Sequence, residues 1–355
     1  MLDNSLVIGN GKGGVGKSSI AAALAANAAA AGRRTLLVDL DPVGSVDQDL
    51  GYRQSGESDD GRSLYRAVVD EEPLTPLAGV RRGLDVVCGG DFTYAVFCRL
   101  TNRERHLDDV VAPLDRLGAD YDLVVIDTPP ATALALDIAF SAARFVIMPV
   151  GVDTGSLDGL ELVSDRYHIA RNRGRNPALE PLGVVLFAMD PGQPRLLREV
   201  RTDVEWELDG AAPVLETFVR HRPRAARDLR RHGLVASEYL RAIRDAREDP
   251  ERRPGADSFD EDAVGLAQDY WDLTAEVLAR LDGRRALPGA AAGTAIGPQA
   301  ADPAEGPTGI PSDLQTEAGV PRVSDDPTRV MTAAGATSGD PSPTGNLATA
   351  EVPIG

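Results

Sequence analysis

The sequence predicts an α/β fold, a mostly parallel sheet with helices on both faces, followed by a disordered C-terminal tail. The first observation is the alternation, within residues 1–285, of short runs rich in Val, Leu and Ile with longer helix-like stretches. Near-continuous apolar strands that alternate with helices are typical of a parallel sheet that is buried on both faces. The second observation is a glycine-rich turn at residues 9–16, between the first run and the first helix-like stretch. The third is that residues 286–355 contain no Phe, Tyr or Trp.

The elements follow in chain order from this alternation. Strands are expected at Ser5–Gly9, Thr35–Asp39, Leu84–Cys88, Leu123–Asp127, Phe145–Val150, Leu182–Phe187 and Val214–Val219. Helices are expected at Ser18–Ala31, Arg103–Leu117, Ala133–Ala142, Leu157–Asn172, Pro194–Leu208, Pro223–His232 and Asp260–Leu281. We therefore expect one folded domain at 1–285 and a tail at 286–355.

Composition limits the possible functions. With 355 residues, 43% of them hydrophobic, the chain can bury a sizeable core. Cys88 and Cys98 form no CxxC pair, and no apolar run of about 18 residues is present, so we expect a cytoplasmic protein without a membrane segment. The net charge of −18 argues against polyanion binding by the whole molecule and leaves open a local basic face.

The tail is set apart by its charge and composition. It carries eight acidic residues against Arg322 and Arg329, so its charge is −6 and that of the rest of the chain is −12. Ala, Gly, Pro, Thr and Ser dominate it, and such a segment cannot bury enough apolar surface to offset the entropy lost on ordering. We therefore expect it to be disordered.

The glycine-rich turn fits the phosphate-binding loop G-x-x-x-x-G-K-[ST] at Gly11, Gly16, Lys17 and Ser18. Glycines let the backbone N–H groups face phosphate oxygens, and the positive end of the following helix points to the same place. Lys17 is expected to reach the β- and γ-phosphates, and Ser18 to ligate Mg²⁺. The motif indicates a P-loop NTPase-type fold. The expected nucleotide-binding residues are Gly11, Lys12, Gly13, Gly14, Val15, Gly16, Lys17, Ser18 and Ser19.

Lys12 and Lys17 are the only lysines in the chain, and the other 35 of the 37 basic residues are arginine. The segment "KGGVGKSS" resembles the deviant Walker A motif, K-G-G-x-G-K-[ST], of the ParA/MinD family of P-loop ATPases. The resemblance implies that ATP and Mg²⁺ are bound, and that Lys12 reaches across a homodimer interface to the phosphates of the partner's ATP. That Lys12 is merely an exposed loop residue remains the alternative.

Two further segments support the resemblance. "LLVDLDP" resembles the family's D-x-D-P segment, which implies that Asp41 orients the attacking water and that Asp39 supports the magnesium site. The alternative is that both aspartates cap a loop. Here the family's usual Gln-Gly-Asn is replaced by Val43, Gly44 and Ser45, so the role of that glutamine is in doubt.

"YDLVVIDTPPA" matches the Walker B element, in which Asp127 holds Mg²⁺, and the following Thr128-Pro129-Pro130 resembles the second switch. The resemblance extends over about residues 4–281. It places the adenine contacts at the ends of late strands, where the candidates are Ala188–Pro191 and Val219–Pro223, neither with a clean signature.

Other branches of this family carry features that the sequence lacks. MinD-type members end in a basic amphipathic helix, whereas no Lys or Arg follows Arg329, so no membrane binding is expected. A C-terminal tyrosine cluster, paired ligating cysteines and a second P-loop are also missing. A ParA/Soj-like partitioning or cargo-positioning ATPase remains.

Such proteins bind DNA non-specifically in the ATP state, and the chain offers one basic patch for this. Between residues 218 and 232, the expected DNA contacts are Arg220, Arg222, Arg224, Arg227 and Arg231. Arg195, Arg198 and Arg201 form a second candidate set. The alternative is a solvated face, because arginine is the general-purpose cation of this chain.

The expected function is an ATP-dependent dimerising switch that drives DNA segregation or cargo positioning. Slow hydrolysis would be stimulated by a ParB-like protein, and the ATP state would associate with the nucleoid. Two alternatives remain: a nucleotide-binding regulatory or scaffolding protein with little turnover, and an ATPase that positions a protein cargo.

Overall fold

A computed structural model describes residues 2–152, 155–172, 175–248 and 263–285. The predicted tail, residues 286–355, lies outside the described residues. In the described part, eight strands form one sheet in the order β3-β4-β2-β5-β1-β6-β7-β8. The strands are β1 (Ser5–Ile8), β2 (Thr35–Asp39), β3 (Leu77–Arg81), β4 (Leu84–Val87), β5 (Leu123–Asp127), β6 (Phe145–Val150), β7 (Glu180–Met189) and β8 (Val219–Arg220). All neighbouring pairs are parallel except β3 and β4, which are antiparallel.

The helices pack on both faces of this sheet. They are α1 (Lys17–Ala30), α2 (Ser45–Leu50), α3 (Arg62–Val69), α4 (Asp91–Thr101), α5 (Leu107–Gly118), α6 (Ala133–Ala142), α7 (Gly155–Asn172), α8 (Pro194–Leu208), α9 (Pro223–His232), α10 (Ala236–Glu248) and α11 (Ala263–Arg285). No helix among the described residues has the length and apolar character needed to cross a membrane.

Two hydrophobic cores lie on opposite faces of the sheet. Side chains alternate between the faces along each strand, so Val7 joins one core while Leu6 and Ile8 join the other. The first core packs against α3 to α8, and the second packs against α1, α2 and α9 to α11. The predicted parallel sheet covered on both faces is therefore confirmed.

The structure differs from the sequence prediction mainly at the sheet edges. Strand β3 was not predicted, because its segment LAGVR is short and half exposed. The expected strand at 214–219 is reduced to β8, with Val214 forming an isolated bridge to Val184. Helices α2, α3, α4 and α10 were also missed. The helix expected from Arg103 begins at Leu107, since Arg103 adopts a left-handed backbone (φ 59°) that a helix cannot include.

The order of the central strands brings the motif residues together. Strand β1 leads into the glycine-rich loop, β2 ends at Asp39, and β5, which ends at Asp127, lies between them. Asp127 is the register partner of Asp39 on one side and of Ile8 on the other. Three segments far apart in sequence therefore meet at the carboxyl edge of the sheet, where open α/β folds bind their ligands.

Candidate nucleotide-binding site

The glycine-rich loop adopts a conformation that needs its glycines. Gly14 and Gly16 have φ of 78° and 85°, and Gly16 is the N-cap of α1. A Cβ at Gly16 would collide with the Phe187 ring of β7, whereas one at Gly14 would meet nothing within 4 Å. The backbone at Gly16 is therefore doubly constrained, by its dihedral angle and by its neighbour.

Asn10 anchors the start of the loop. Its buried side chain donates to the Pro149 carbonyl at 2.7 Å and accepts from the Lys12 N–H at 2.7 Å. The Gly11 N–H donates to the Gly159 carbonyl of α7 at 3.1 Å, and a Cβ at Gly159 would collide with the Asn10 amide oxygen. The loop is thus held against the end of β6 and against α7.

The segment after β5 is bonded to the same loop. The Thr128 hydroxyl donates to the Ile8 carbonyl at 2.8 Å, and the Ala131 N–H donates to the Gly11 carbonyl at 2.8 Å. Ala131 itself has a left-handed backbone (φ 50°). A movement of residues 128–130, the predicted second switch, would therefore disturb hydrogen bonds to β1 and to the glycine-rich loop.

The two lysines of the loop differ in burial. Lys17 is 6% exposed, and its ammonium donates to the Lys12 carbonyl at 2.6 Å. Burial lowers the pKa of Lys17, while the nearby Asp127 and Asp41 carboxylates oppose that shift. Lys12 is half-buried. Lys17 is thus placed among acidic groups inside the candidate site, and its contact with phosphate stays a prediction.

Two buried carboxylates face the loop from β2 and β5. Asp39 and Asp127 are both fully buried. Burial raises the pKa of Asp127 to about 7, against the lowering effects of the Ser18 hydroxyl and Lys17. Burial and the neighbouring Asp127 also raise the pKa of Asp39 well above its usual range. Two adjacent carboxylates in a dry site repel each other and favour a cation between them.

The arrangement fits a magnesium ion. One oxygen of Asp39 and both oxygens of Asp127 are buried without a hydrogen-bond partner among the described residues. The Ser18 hydroxyl lies close enough to Asp127 to lower the pKa of that carboxyl. Orphaned carboxylate oxygens are costly unless an ion or water satisfies them. In the described part of the chain, no cluster of three or more His, Cys, Asp or Glu residues is arranged as a metal site. Mg²⁺ suits this sparse set, because it keeps several waters and phosphate oxygens as ligands.

Asp41 lies beside the same group. It is 5% exposed, its N–H donates to Asp39 at 2.8 Å, and its carboxylate accepts from the Val43 N–H at 2.9 Å. Its charge acts on both Lys17 and Asp127. Val43, which stands where the family has glutamine, is 67% exposed.

The two candidate adenine segments are brought together at the ends of β7 and β8. The His221 N–H donates to the Met189 carbonyl at 2.7 Å, and Ala188 has a left-handed backbone (φ 59°). Phe187, immediately before them, packs on Gly16. The segments therefore lie beside the loop, and their contact with a base remains a prediction.

The basic patch is divided by the fold into exposed and engaged arginines. Arg224, Arg227 and Arg231 are exposed on α9. Arg220 instead forms a two-bond ion pair with Asp269 of α11, at 2.6 and 2.7 Å, and is 26% exposed. This ion pair leaves Arg220 only partly exposed, and the half-buried Arg222 lies at the N-cap of α9. DNA contact at these two residues stays a prediction.

The second set of arginines lies on α8. The side chain of Arg195 is 89% exposed and pairs with Glu199, whereas Arg201 donates to the Leu215 carbonyl at 2.7 Å. Arg201 is bonded to the segment before β8, and Arg195 is paired with an acidic residue. The arginines of α8 therefore present a weaker basic face than those of α9.

Three residues of the site were not singled out from the sequence. Asn10 directly precedes the phosphate-binding motif, and this position could have identified it as a residue of the site. Gly159 contacts the loop from about 150 residues away, and Asp49 contacts Ser19 across 30 residues, at 3.2 Å. No local pattern marks such long-range contacts.

Comparison with known proteins agrees with the geometry. Residues 4–180 match the AAA domain family model. The chain is 36% identical to the chromosome partitioning protein ParA of Myxococcus xanthus over 190 residues, which is 52% of this chain and 65% of that protein. It is 35% identical to ParA of Caulobacter vibrioides over 191 residues, which is 52% of this chain and 69% of that protein. The aligned part thus spans about two thirds of these relatives.

Among solved structures, the septum site-determining protein MinD of Pyrococcus horikoshii, complexed with Mg-ADP, has the same fold. The TM-score is 0.53 at 19% identity, with 78% of this chain and 97% of MinD covered. The likeness to MinD shows the fold alone, and the ParA sequence relatives show the family. Together with the loop and the buried carboxylates, they establish that the chain belongs to the ParA/Soj family of P-loop ATPases.

Proposed function

We propose that this chain is an ATP-dependent dimerising switch that drives DNA segregation or the positioning of an intracellular cargo. In this proposal the ATP-bound homodimer binds DNA non-specifically and associates with the nucleoid. Slow hydrolysis, stimulated by a ParB-like protein, splits the dimer and releases the DNA. The ParA names of the sequence relatives support the partitioning role.

One observation carries the nucleotide chemistry. Lys17 is buried together with three carboxylate oxygens of Asp39 and Asp127 that have no hydrogen-bond partner among the described residues, and Gly14 and Gly16 of the adjoining loop have left-handed backbones. The loop N–H groups and Lys17 would bind the triphosphate, and Ser18 and Asp127 would hold the Mg²⁺, with Asp39 in support. The bound Mg²⁺ would neutralise charge on the phosphates.

Lys12 and Asp41 have different proposed tasks. Asp41, held by its contacts with Asp39 and Val43, would orient the attacking water. Lys12 would reach the nucleotide of the partner subunit. The exposure of Gly13, Gly14 and Pro130 around the loop supports a face that a second copy would cover.

The proposed DNA surface is the exposed face of α9, formed by Arg224, Arg227 and Arg231. Spacings of three and four residues place these side chains on one face of the helix. A chain with a net charge of −18 would be repelled by DNA elsewhere, so a local basic face would also orient the encounter.

The experiment measures mass, turnover and DNA binding in the same buffer. Light scattering should report a monomer with Mg-ADP and a dimer with Mg-ATPγS. Fluorescence anisotropy should show duplex DNA bound only by the dimer, irrespective of sequence, and the ATPase rate should rise with DNA and partner. A monomer under all nucleotide conditions would refute the switch.

A second candidate is a nucleotide-binding scaffolding protein with little turnover. The exposed Val43 in place of the family's glutamine favours it, since that position lies two residues from Asp41. Dimerisation and DNA binding without measurable phosphate release, with or without partner, would select this candidate. A protein cargo instead of DNA would be indicated by dimerisation without DNA affinity.

A further inference from the structure

A three-residue cluster connects the nucleotide loop to the basic helix α9. Ser19, the third residue of α1, donates its hydroxyl to Asp49 of α2 at 3.2 Å. Arg230 of α9 donates to the other oxygen of Asp49 at 2.7 Å and to the Ser19 hydroxyl oxygen at 3.3 Å. Each of the three side chains therefore contacts the other two.

Burial makes this cluster costly to break. The Asp49 side chain is 9% exposed, and burial raises its pKa, while Arg230 and Ser19 oppose that shift. A buried carboxylate that loses its partners is strongly destabilising. Asp49 is therefore expected to keep Arg230 in place whenever Ser19 is otherwise engaged.

The backbones of α2 and α9 are also in direct contact. A Cβ at Gly51 would come within 3.0 Å of the Gly233 carbonyl oxygen, and the Gln54 amide donates to the Arg230 carbonyl at 3.3 Å. The end of α9 thus rests on the end of α2. Helix α2 in turn begins directly after the loop that contains Asp41.

Ser19 has only one hydroxyl proton to donate. It can donate that proton to Asp49 or to a phosphate oxygen in the loop, but not to both. We infer that Asp49 and Arg230 are positioning residues that couple phosphate binding at Ser19 to the attachment of α9. The inference rests on the proposed function for the nucleotide, and it makes the loop and the basic helix respond to each other reciprocally.

Two consequences follow from this competition. When Ser19 donates to a phosphate, the hydrogen bond that joins α1 to Asp49 of α2 is lost, while Arg230 stays bonded to Asp49. Helix α9, which is held to α1 through Asp49 and rests on the end of α2, is then attached less firmly, so its amides should exchange faster. Conversely, replacing Asp49 with alanine removes the competitor for the Ser19 proton, so nucleotide should bind more tightly. A merely structural Asp49 would predict the opposite, because a loosened loop binds less well.

The first test uses hydrogen–deuterium exchange on the nucleotide-free full chain. Ser19→Ala removes the hydroxyl that bonds Asp49 and accepts from Arg230 of α9. Amide exchange in residues 223–232 should therefore rise by about fivefold or more, although the substitution lies on α1. The matched control is Asp47→Asn on α2, whose buried carboxylate pairs with Arg53 at 2.7 Å instead of with Ser19 or α9. Exchange in 223–232 that is the same in Ser19→Ala and wild type would overturn the inference.

The second test measures Mg-ADP affinity by titration calorimetry. Asp49→Ala should tighten binding by about threefold to tenfold, and Asp47→Asn should leave it unchanged. Unchanged or weaker binding in Asp49→Ala would overturn the inference. If the wild type bound no nucleotide, the proposed function would fail, and the exchange test would still decide the link between α1 and α9. If Asp49→Ala did not fold, Ser19→Ala would carry the exchange test alone.

Discussion

At the scale of single residues, the two lysines have distinct surroundings. Lys17 is buried, bonded to the Lys12 carbonyl and attracted by Asp127 and Asp41, whereas Lys12 is half-buried. An ammonium is compact, while a guanidinium is planar and wider, so the enclosed position of Lys17 explains why arginine is not used there. For Lys12, the proposed reach to the partner's nucleotide supplies the reason for a lysine.

Replacing Lys12 with alanine should separate nucleotide binding from dimerisation. We expect Lys12→Ala to lose dimerisation. Its affinity for Mg-ATPγS as a monomer should stay within about threefold of wild type, because Lys17, the residue proposed to hold the phosphates, is unchanged. Light scattering with Mg-ATPγS measures the loss, and Lys17→Ala serves as the variant that binds no nucleotide. A Lys12→Ala protein that dimerises like wild type would contradict the bridging role.

Replacing Asp41 with alanine should trap the ATP state. The variant keeps Lys17, Asp39 and Asp127, so nucleotide still binds, while the group proposed to orient the attacking water is gone. Phosphate release should fall by about 100-fold or more, and light scattering with Mg-ATP should show a lasting dimer. Normal turnover in Asp41→Ala would remove Asp41 from this role.

At the scale of elements, the loop depends on its neighbour β7 as much as on its own glycines. Gly14 and Gly16 share a left-handed backbone, and only Gly16 is covered, by Phe187. The motif alone predicts that both positions are glycine. It does not predict that only Gly16 is covered, because the order of the strands in the sheet places Phe187 beside the loop.

The two glycines therefore form a matched pair. Gly14→Ala should cost about 1 kcal/mol of unfolding free energy through its dihedral strain alone. Gly16→Ala should cost about 2 kcal/mol more, because the new methyl group collides with a ring. Urea unfolding followed by circular dichroism measures the unfolding free energy of each variant. Equal decreases in the two variants would show that Phe187 does not pack against Gly16.

Helix α9 is the element on which the DNA proposal depends. Arg224→Ala and Arg227→Ala should each weaken duplex DNA binding equally for all sequences and lower the slope of log affinity against log salt by about 1. Anisotropy at several salt concentrations provides the measurement, and Arg195→Ala on α8 is the exposed control. Equal effects from α8 and α9 variants would show that α9 is not the specific surface.

The elements show where sequence patterns stop being informative. The central strands were predicted closely because each is a continuous apolar run, and β2, β5 and β6 have the expected bounds. Strand β3 and helix α2 were missed because a half-exposed edge strand and a six-residue helix carry too little periodicity. Most residues of the candidate site could be named from the sequence since they belong to contiguous motifs, and their roles stay predictions.

At the scale of the whole molecule, the buried carboxylates tie stability to the ligand. Asp39 and Asp127 are fully buried, and three of their oxygens have no hydrogen-bond partner in the part of the chain that the structure describes. This arrangement costs folding free energy that bound Mg²⁺ and phosphates would recover. A ligand that binds only the folded state stabilises it by mass action.

Mg-ADP at about 100 times its dissociation constant should therefore stabilise the protein by about 2.7 kcal/mol. Thermal unfolding with Mg-ADP, with ADP plus EDTA, and without ligand measures the effect, and the metal-free sample should gain much less. Lys17→Ala should show no gain under any condition. Equal stabilisation with and without magnesium would contradict the assignment of Asp127.

The sequence by itself determined the strand–loop–helix motif, the aspartates at or just after strand ends (Asp39, Asp41 and Asp127) and the basic character of residues 220–231. Each of these features depends only on a few neighbouring residues. Only the tertiary structure decided which of these groups share a space. Sheet order pairs Asp39 with Asp127, and the packing of α11 and α2 against this region pairs Arg220 with Asp269 and Arg230 with Asp49. The physical reason is that burial and ion pairing depend on neighbours tens to hundreds of residues away, and a local pattern does not contain them.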